Sequence, residues 1–241
     1  MVRAPAHGRP KKRSKRNKRF LIYCGAVVTE VEYFDYVKSV AERYCDAGWN
    51  VREDVRLEKE GVDPLTLTED AVRLMRRDAK DAKKEQYEPF DQIWAVTDID
   101  DFGEKIQQAQ DKAASAGGKV QLVISNPCFE VWIIDHVKSC PSSYTQTPIC
   151  QQLAKQLGLV MNTTGHRSKH LNFERISGRY ADAVRNAQQH MRDAEQRSLR
   201  EHHPSVTKKS NYVPWTDIPD VVRAIIDECR RISGQDISGE L

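Results

Sequence analysis

The chain has 241 residues, 39% of them hydrophobic and 30% charged, with a net charge of +3, which is enough apolar content for one large or two small globular domains. It contains no run of 18 apolar residues, so no helical membrane span is expected, and its basic start lacks the apolar stretch of a secretory signal. Six cysteines, at 24, 45, 128, 140, 150 and 229, form no Cys-x-x-Cys pair, which argues against a structural zinc site and points to free thiols in the cytoplasm.

The charge is unevenly distributed. Arg3, Arg9, Lys11, Lys12, Arg13, Lys15, Arg16, Lys18 and Arg19 fall within the first 19 residues, which hold no acid, so the net +3 becomes −6 once these nine are set aside. With Pro5, Gly8 and Pro10 and almost nothing apolar, residues 1–19 are expected to be a disordered arm. Two readings stand for it. Lys11, Lys12, Arg13, Lys15, Arg16, Lys18 and Arg19 neutralise nucleic-acid phosphates and release counterions, or the arm is a solubilising leader.

From Phe20 the chain alternates strand and helix. "RFLIYC" (19–24) has strand length, and a helix is expected from Thr29 to Cys45, with Thr29 and Glu32 as a capping box and Phe34, Val37, Ala41 and Tyr44 on one face. A second strand lies within "WNVREDVRLE" (49–58), and a highly charged helix covers 69–86. "QIWAVTDID" (92–100) is the third strand. A helix over 104–116 is stopped by Gly117 and Gly118, and "KVQLVISN" (119–126) is a further strand. Asn126 and Pro127 read as cap and first position of the next helix. This β-α-β-α order implies an α/β fold with a parallel sheet flanked by helices.

The later chain reads as a helix over 147–159, a basic segment "NTTGHRSKH" (162–170), a long polar helix over 171–200 and an amphipathic helix over 215–232 capped by Thr216. Residues 138–210 are expected to be a helical elaboration on the sheet, all within one unit spanning 20–241.

Chemistry concentrates where the third strand ends. A strand has a side-chain period of two, so Asp98 and Asp100 face one side, and two like charges in one spot need a cation, a proton or open water. A hard ion such as Mg²⁺ takes such oxygen ligands, whereas Asp and Gly103 also suit an ordinary turn. Ligands of parallel sheets gather beyond the carboxyl ends of strands, and the segment Gly25–Glu30 follows another such end.

The ordered set "LIYCGAVVTEVEYF" (21–34), "WAVTDIDDF" (94–102), "SNPCFEVWIIDH" (125–136) and "PWTDIPDVV" (214–222) resembles the RloB-like proteins, which include the second component of AbiL-type abortive-infection systems. The resemblance covers most of residues 20–235, and "SNPCFEVW" is its most specific element. It implies a Toprim-like fold in which a Glu after the first strand and an Asp-x-Asp after a later one hold Mg²⁺ or Mn²⁺ for phosphodiester chemistry. It also implies a role in prokaryotic antiviral defence, with nucleic acid as substrate and an ATPase encoded nearby as partner.

One departure stands out. The family's first motif reads C-E-G-E-x-T-E, and this chain has Cys24-Gly25-Ala26-Val27-Val28-Thr29-Glu30. Gly25 replaces a Glu that serves the family as metal ligand or general acid. Glu30 remains, as a ligand or as an acid placed in the positive first turn of a helix. Glu130 has the same two readings. Gly25 also leaves open a loop rebuilt around phosphate through its N–H groups. Arg167 and Lys169 are either phosphate contacts or a solvated charge run, and Trp94, Trp132 and His136 read as structural.

No G-x-S-x-G elbow, G-x-x-x-x-G-K-[ST] loop or G-x-G-x-x-G turn is present. Two functions remain. One is a metal-dependent nuclease using Asp98, Asp100 and Glu30 or Glu130. The other is a catalytically silent module that binds nucleic acid or the partner ATPase.

Overall fold

The computed structural model describes residues 16–26, 28–45, 55–59, 62–99, 103–162, 169–190 and 214–241. In chain order the elements are β1 (Phe20–Cys24), α1 (Thr29–Glu42), β2 (Val55–Lys59), α2 (Pro64–Glu85), β3 (Gln92–Asp98), α3 (Gly103–Ala114), β4 (Val120–Asn126), α4 (Glu130–Asp135), α5 (Thr147–Gln156), β5 (Val160–Asn162), β6 (Lys169–Leu171), α6 (Phe173–Ile176), α7 (Tyr180–Gln189), β7 (Trp215–Thr216) and α8 (Ile218–Ser233).

Five strands form one sheet in the order β2-β1-β3-β4-β7, and β5 with β6 makes a separate hairpin. β2, β1, β3 and β4 are parallel, and only β7 runs against its neighbour. Both faces of the sheet are covered, which explains why β1 and β3 read as near-continuous apolar runs. Phe20, Ile22, Cys24, Trp94, Val96 and Val123 pack on one face with α1, α4 and α8. Leu21, Tyr23, Ile93, Ala95 and Val120 pack on the other, against Leu67, Ala71 and Val72 of α2 and Ala113 of α3. The chain leaves β1 toward one side of the sheet and returns to β3 on the other, so the strand order reverses between β1 and β3. The carboxyl ends of two adjacent strands therefore open onto one crevice, where the connections diverge and side chains have room.

Several expected boundaries move, each for a local reason. α2 starts earlier, because the Asp63 carboxylate accepts from the N–H groups of Leu65 (3.1 Å) and Thr66 (3.2 Å) with Pro64 at the first helical position. α4 starts at Glu130 and not at Asn126, because Asn126 is still extended and pairs with Trp215 of β7. The long helix expected over 171–200 is two pieces within the described residues, separated at Gly178, whose φ of +74° suits glycine. For α8, Thr216 accepts from Ile218 N–H at 3.3 Å, while Asp217 occupies the cap position.

The capping box at the start of α1 is not formed. Thr29 is already helical and Val28 precedes it without a side-chain cap. Glu32 instead reaches across to β6, where it accepts from Leu171 N–H at 2.8 Å and meets His170 Nδ1. A sequence reading places Glu32 by its neighbours in the chain, whereas the β5–β6 hairpin offers it an unpaired N–H from 139 residues away.

The expectation of six free thiols is also corrected. Packing of α1 against α8 joins Cys45 to Cys229, with Cα atoms 6.0 Å apart. Cys24, Cys128, Cys140 and Cys150 are free and buried. Of the two aromatics read as core, Trp132 is fully buried and Trp94 nearly so. His136 is buried with Nδ1 hydrogen-bonded to the Trp132 carbonyl at 2.9 Å, and desolvation pushes its pKa down to about 4. No helix among the described residues is long and apolar enough to cross a membrane.

Because Glu32 satisfies a backbone N–H that has no other partner among the described residues, Glu32→Ala is expected to cost about 1–3 kcal/mol. A urea midpoint and the amide exchange rate of Leu171 measure this. An unchanged Leu171 exchange rate would show that the contact holds nothing.

Candidate metal centre

β1 ends at Cys24 and hands the chain to a short turn. Gly25 N–H donates to the Val96 carbonyl of β3 at 2.8 Å, which ties the turn to the neighbouring strand. The first turn of α1 follows and aims Glu30 back toward the end of β1. Its Oε2 accepts from Ala26 N–H at 2.9 Å, while Oε1 is buried with no hydrogen bond. Glu30 is 1% exposed. Such a carboxylate is costly unless it is protonated or meets a cation.

Glu130, at the start of α4 on the same face of the sheet, is 4% exposed and repels Glu30 electrostatically. Burial first, with Glu130 adding to it against the opposing Ala26 hydrogen bond, pushes the Glu30 pKa up to about 8. Cys24 feels the same environment: burial first, then Glu30 and Asp35, drive its thiol pKa well above the usual range. Asp98 closes β3 in register with Ser125 of β4. Burial first, then a hydrogen bond with Cys150, with smaller contributions from Glu130 and Asp98, raises the thiol pKa of Cys128.

The expected residues thus divide. Glu30, Glu130 and Asp98 lie around the carboxyl ends of β1, β3 and β4. Asp100 lies outside the described residues, as do Lys11, Lys12, Arg13, Lys15 and Arg167. Among the described residues, no three Asp, Glu, His or Cys side chains are already arranged to hold a metal ion. The donor chemistry nevertheless fits a hard divalent cation: oxygen ligands only, one buried oxygen of Glu30 without a partner, and mutually repelling carboxylates. Of the described residues, Glu30 and Asp98 would hold it, with Glu130 alongside.

Gly25 does not use the freedom of glycine. Its φ lies outside the left-handed region, and an added Cβ would sit 3.2 Å from the Val96 carbonyl and 3.5 Å from both Leu67 and Thr97. A Cβ here is accommodated only if the Val96 carbonyl, which also holds Gly25 N–H, gives by a few tenths of an ångström. Of the N–H groups that a phosphate-cradling turn would use, those of Gly25 and Ala26 already serve Val96 and Glu30, and Val27 lies outside the described residues.

The described part of the basic arm sits at the opposite end of the sheet, before β1 and β3 begin. Arg16 makes a two-pronged contact with Asp91 (2.8 and 2.7 Å) and approaches Glu88 at 3.4 Å. The Arg19 guanidinium lies over Phe90 at 4.6 Å and Tyr87 at 5.3 Å. Lys18 N–H donates to Glu228 at 2.7 Å. These residues anchor the arm to the domain. A cation that sequence reasoning passed over lies nearer the crevice: Lys105, in the first turn of α3 directly after the acidic run, pairs with Asp63 at 3.1 Å. Its position five residues beyond Asp100 was the available signal.

The sign of the Glu30 shift predicts the pH dependence of the metal-free protein. A carboxyl whose pKa rises from 4.5 unfolded to about 8 folded binds its proton more tightly in the native state. It therefore removes stability as pH rises between those values. Glu30→Gln is expected to abolish this contribution, so the variant gains stability over wild type between pH 5 and pH 8, on the order of 1 kcal/mol or more. Urea unfolding of both proteins across that range, in a chelator, measures the difference; parallel curves would refute the assignment.

Comparison with known protein families matches the RloB-like protein family over residues 20–225. Neither a curated protein nor a solved structure matches the chain. The matched region runs from the first residue of β1 into α8 and takes in Glu30, Asp98, Asp100 and Glu130. The chain belongs to the RloB-like protein family.

Proposed function

We propose that the protein is a metal-dependent nuclease of Toprim type acting in prokaryotic antiviral defence. The parallel core and the reversal of strand order between β1 and β3 are consistent with a Toprim-like sheet. The observation that carries the reading is the buried Glu30 carboxylate, with one oxygen unpartnered, beside Glu130 at the crevice where Asp98 ends β3.

Mg²⁺ or Mn²⁺, when bound, supplies a Lewis acid for the phosphoryl oxygen and lowers the pKa of a bound water. The chain's own residues do the rest. The Ala26 N–H fixes one oxygen of Glu30 and leaves the other buried without a hydrogen bond. Burial keeps Glu30 protonated near neutral pH in the metal-free state, so ligand binding and proton release are coupled. Lys105 stands in the first turn beyond the acidic strand end, near enough in sequence to balance substrate charge. The arm supplies non-specific attraction through Lys11, Lys12, Arg13 and Lys15, with Arg16 and Arg19 as its moorings. An ATPase is the expected protein partner.

Gly25 bears on rate. With the family Glu absent, the site has one carboxylate fewer to share among ions, and a single-ion or slower enzyme results. The tie of Gly25 N–H to the Val96 carbonyl supports this over a rebuilt turn.

Nicking of supercoiled DNA and cleavage of RNA, each with Mn²⁺, test the reading. Wild type is expected to cleave at least one of them. Asp98→Ala/Asp100→Ala is expected to lose about 100-fold or more, the scale on which charge-stabilising groups act, and Gly25→Glu to gain. Cleavage that survives the double substitution would overturn the metal assignment. Metal-independent binding without cleavage by either wild type or Gly25→Glu would favour the catalytically silent module. Separately, replacing Lys11, Lys12, Arg13 and Lys15 by Ala is expected to flatten the slope of log affinity against log salt by up to about 3. An unchanged slope would remove the arm from the interface.

A further inference from the structure

β4 is left as an incomplete edge. β7 pairs with it only at Ser125 and Asn126. Asp217 then ends the ladder, its N–H donating to the Ile124 carbonyl at 2.9 Å and its carboxylate accepting from Ile124 N–H at 3.3 Å. The chain turns at once into α8, with Pro219 in its first turn, so the earlier half of β4 has no outer neighbour in β7.

The direction of the free groups follows from the ladder. Ile93 N–H donates to Lys119 O at 2.8 Å and Ile99 N–H to Ser125 O at 3.0 Å, so odd-numbered residues of β4 turn their backbone toward β3. Val120 and Leu122 therefore turn theirs outward, where nothing in the described residues pairs with them. Beside them lies a cavity of about 500 Å³. It reaches both faces of the sheet, with Leu122 and Ala113 of α3 on one side and Trp94 and Val221 of α8 on the other. A space that wraps around a strand edge and touches both faces has the shape left by a missing strand.

Two observations select the occupant. The edge is recessed between α3 and α8, so the edge of another folded sheet is too bulky to reach it, and a single extended segment is not. Among the described residues, the charged side chains lining the cavity are Asp217, whose carboxylate also accepts from Ile124 N–H, and Asp220, which forms an exposed ion pair with Arg223 that a competing cation can exchange; the amides of Gln110 and Gln121 lie beside them. We propose that this groove binds an extended segment of a partner protein, four or five residues long, that adds a strand to β4 and carries a basic side chain toward Asp217 and Asp220. Main-chain pairing to Leu122 supplies affinity, and the alternating pockets on the two faces supply selectivity. With Ile124 already taken by Asp217, the stretch left for pairing runs from Val120 to Val123, about 10 Å at strand rise.

The test uses the full-length protein and a blocked pentapeptide of sequence Val-Lys-Val-Lys-Val, followed by tryptophan fluorescence and amide hydrogen exchange. Binding is expected to slow exchange at Leu122 by about tenfold or more, and the Glu-for-Lys peptide to bind about tenfold more weakly. Leu122→Pro, which an open edge tolerates, is expected to abolish binding. If that variant does not fold, Asp220→Lys is expected to weaken binding of the Lys peptide and improve that of the Glu peptide. Absence of binding by the Lys peptide, or binding that leaves Leu122 exchange unchanged, overturns the proposal. So does a Leu122 amide that is already slow in the free protein and becomes fast when Lys11, Lys12, Arg13 and Lys15 are changed to Ala, because the groove is then filled by the chain's own arm.

Discussion

Two carboxyl groups, Glu30 and Glu130, are buried together beyond the ends of β1 and β4, and water does not reach Glu30 to screen them. A dry interior accepts one such group only as the neutral acid or beside a cation. The rest of the crevice is arranged around that constraint. The turn after Cys24 is tied to β3 so that Ala26 N–H faces Glu30, and Asp98 ends its strand beside the same pocket. A scaffold selected for stability alone has no use for this arrangement, since an apolar pair of similar volume would pack without the desolvation cost.

The two ends of the sheet have opposite electrostatic characters. At the carboxyl ends of the strands, carboxylates crowd together and repel. At the amino ends, Arg16 and Arg19 settle onto Asp91, Phe90 and Tyr87, and Glu228 ties down Lys18 and Arg231. The Arg16 and Arg19 guanidinium groups and the Lys18 backbone N–H are held by partners of their own, so these residues position the arm. Under the proposed reading, a polyanion is drawn to the arm by long-range attraction and reaches the acidic crevice only where a divalent ion has first reversed the local sign. The open edge of β4 is a third, separate surface: its acidic lining and main-chain groups suit a polypeptide, not a phosphate backbone.

Much of this was legible because it is local. The short, near-continuous apolar runs of β1 and β3, the Gly117-Gly118 stop and the amphipathic stripe of α8 depend on side chains within a few positions of one another. Where sequence reading failed, a distant residue had outcompeted a near one. Glu32 forgoes a capping box for Leu171 N–H, and Asn126 stays in the sheet because Trp215 pairs with it. Cys45 finds Cys229 through helix packing that no spacing rule anticipates.

The sequence by itself determined the α/β class, the family and the identity of the acids, because alternation, helical periodicity and the motif around residues 125–132 are written in consecutive positions. Only the tertiary structure decided that Glu30 is buried on the same face as Glu130, that a Cβ at Gly25 would press on the Val96 carbonyl, that Arg16 and Arg19 serve as anchors and that the first half of β4 has no outer partner among the described residues. Each of these is a statement about which segments share a small volume from which water is excluded. Desolvation and Coulomb repulsion act through space, over a few ångströms, with no regard for how far apart two residues lie along the chain.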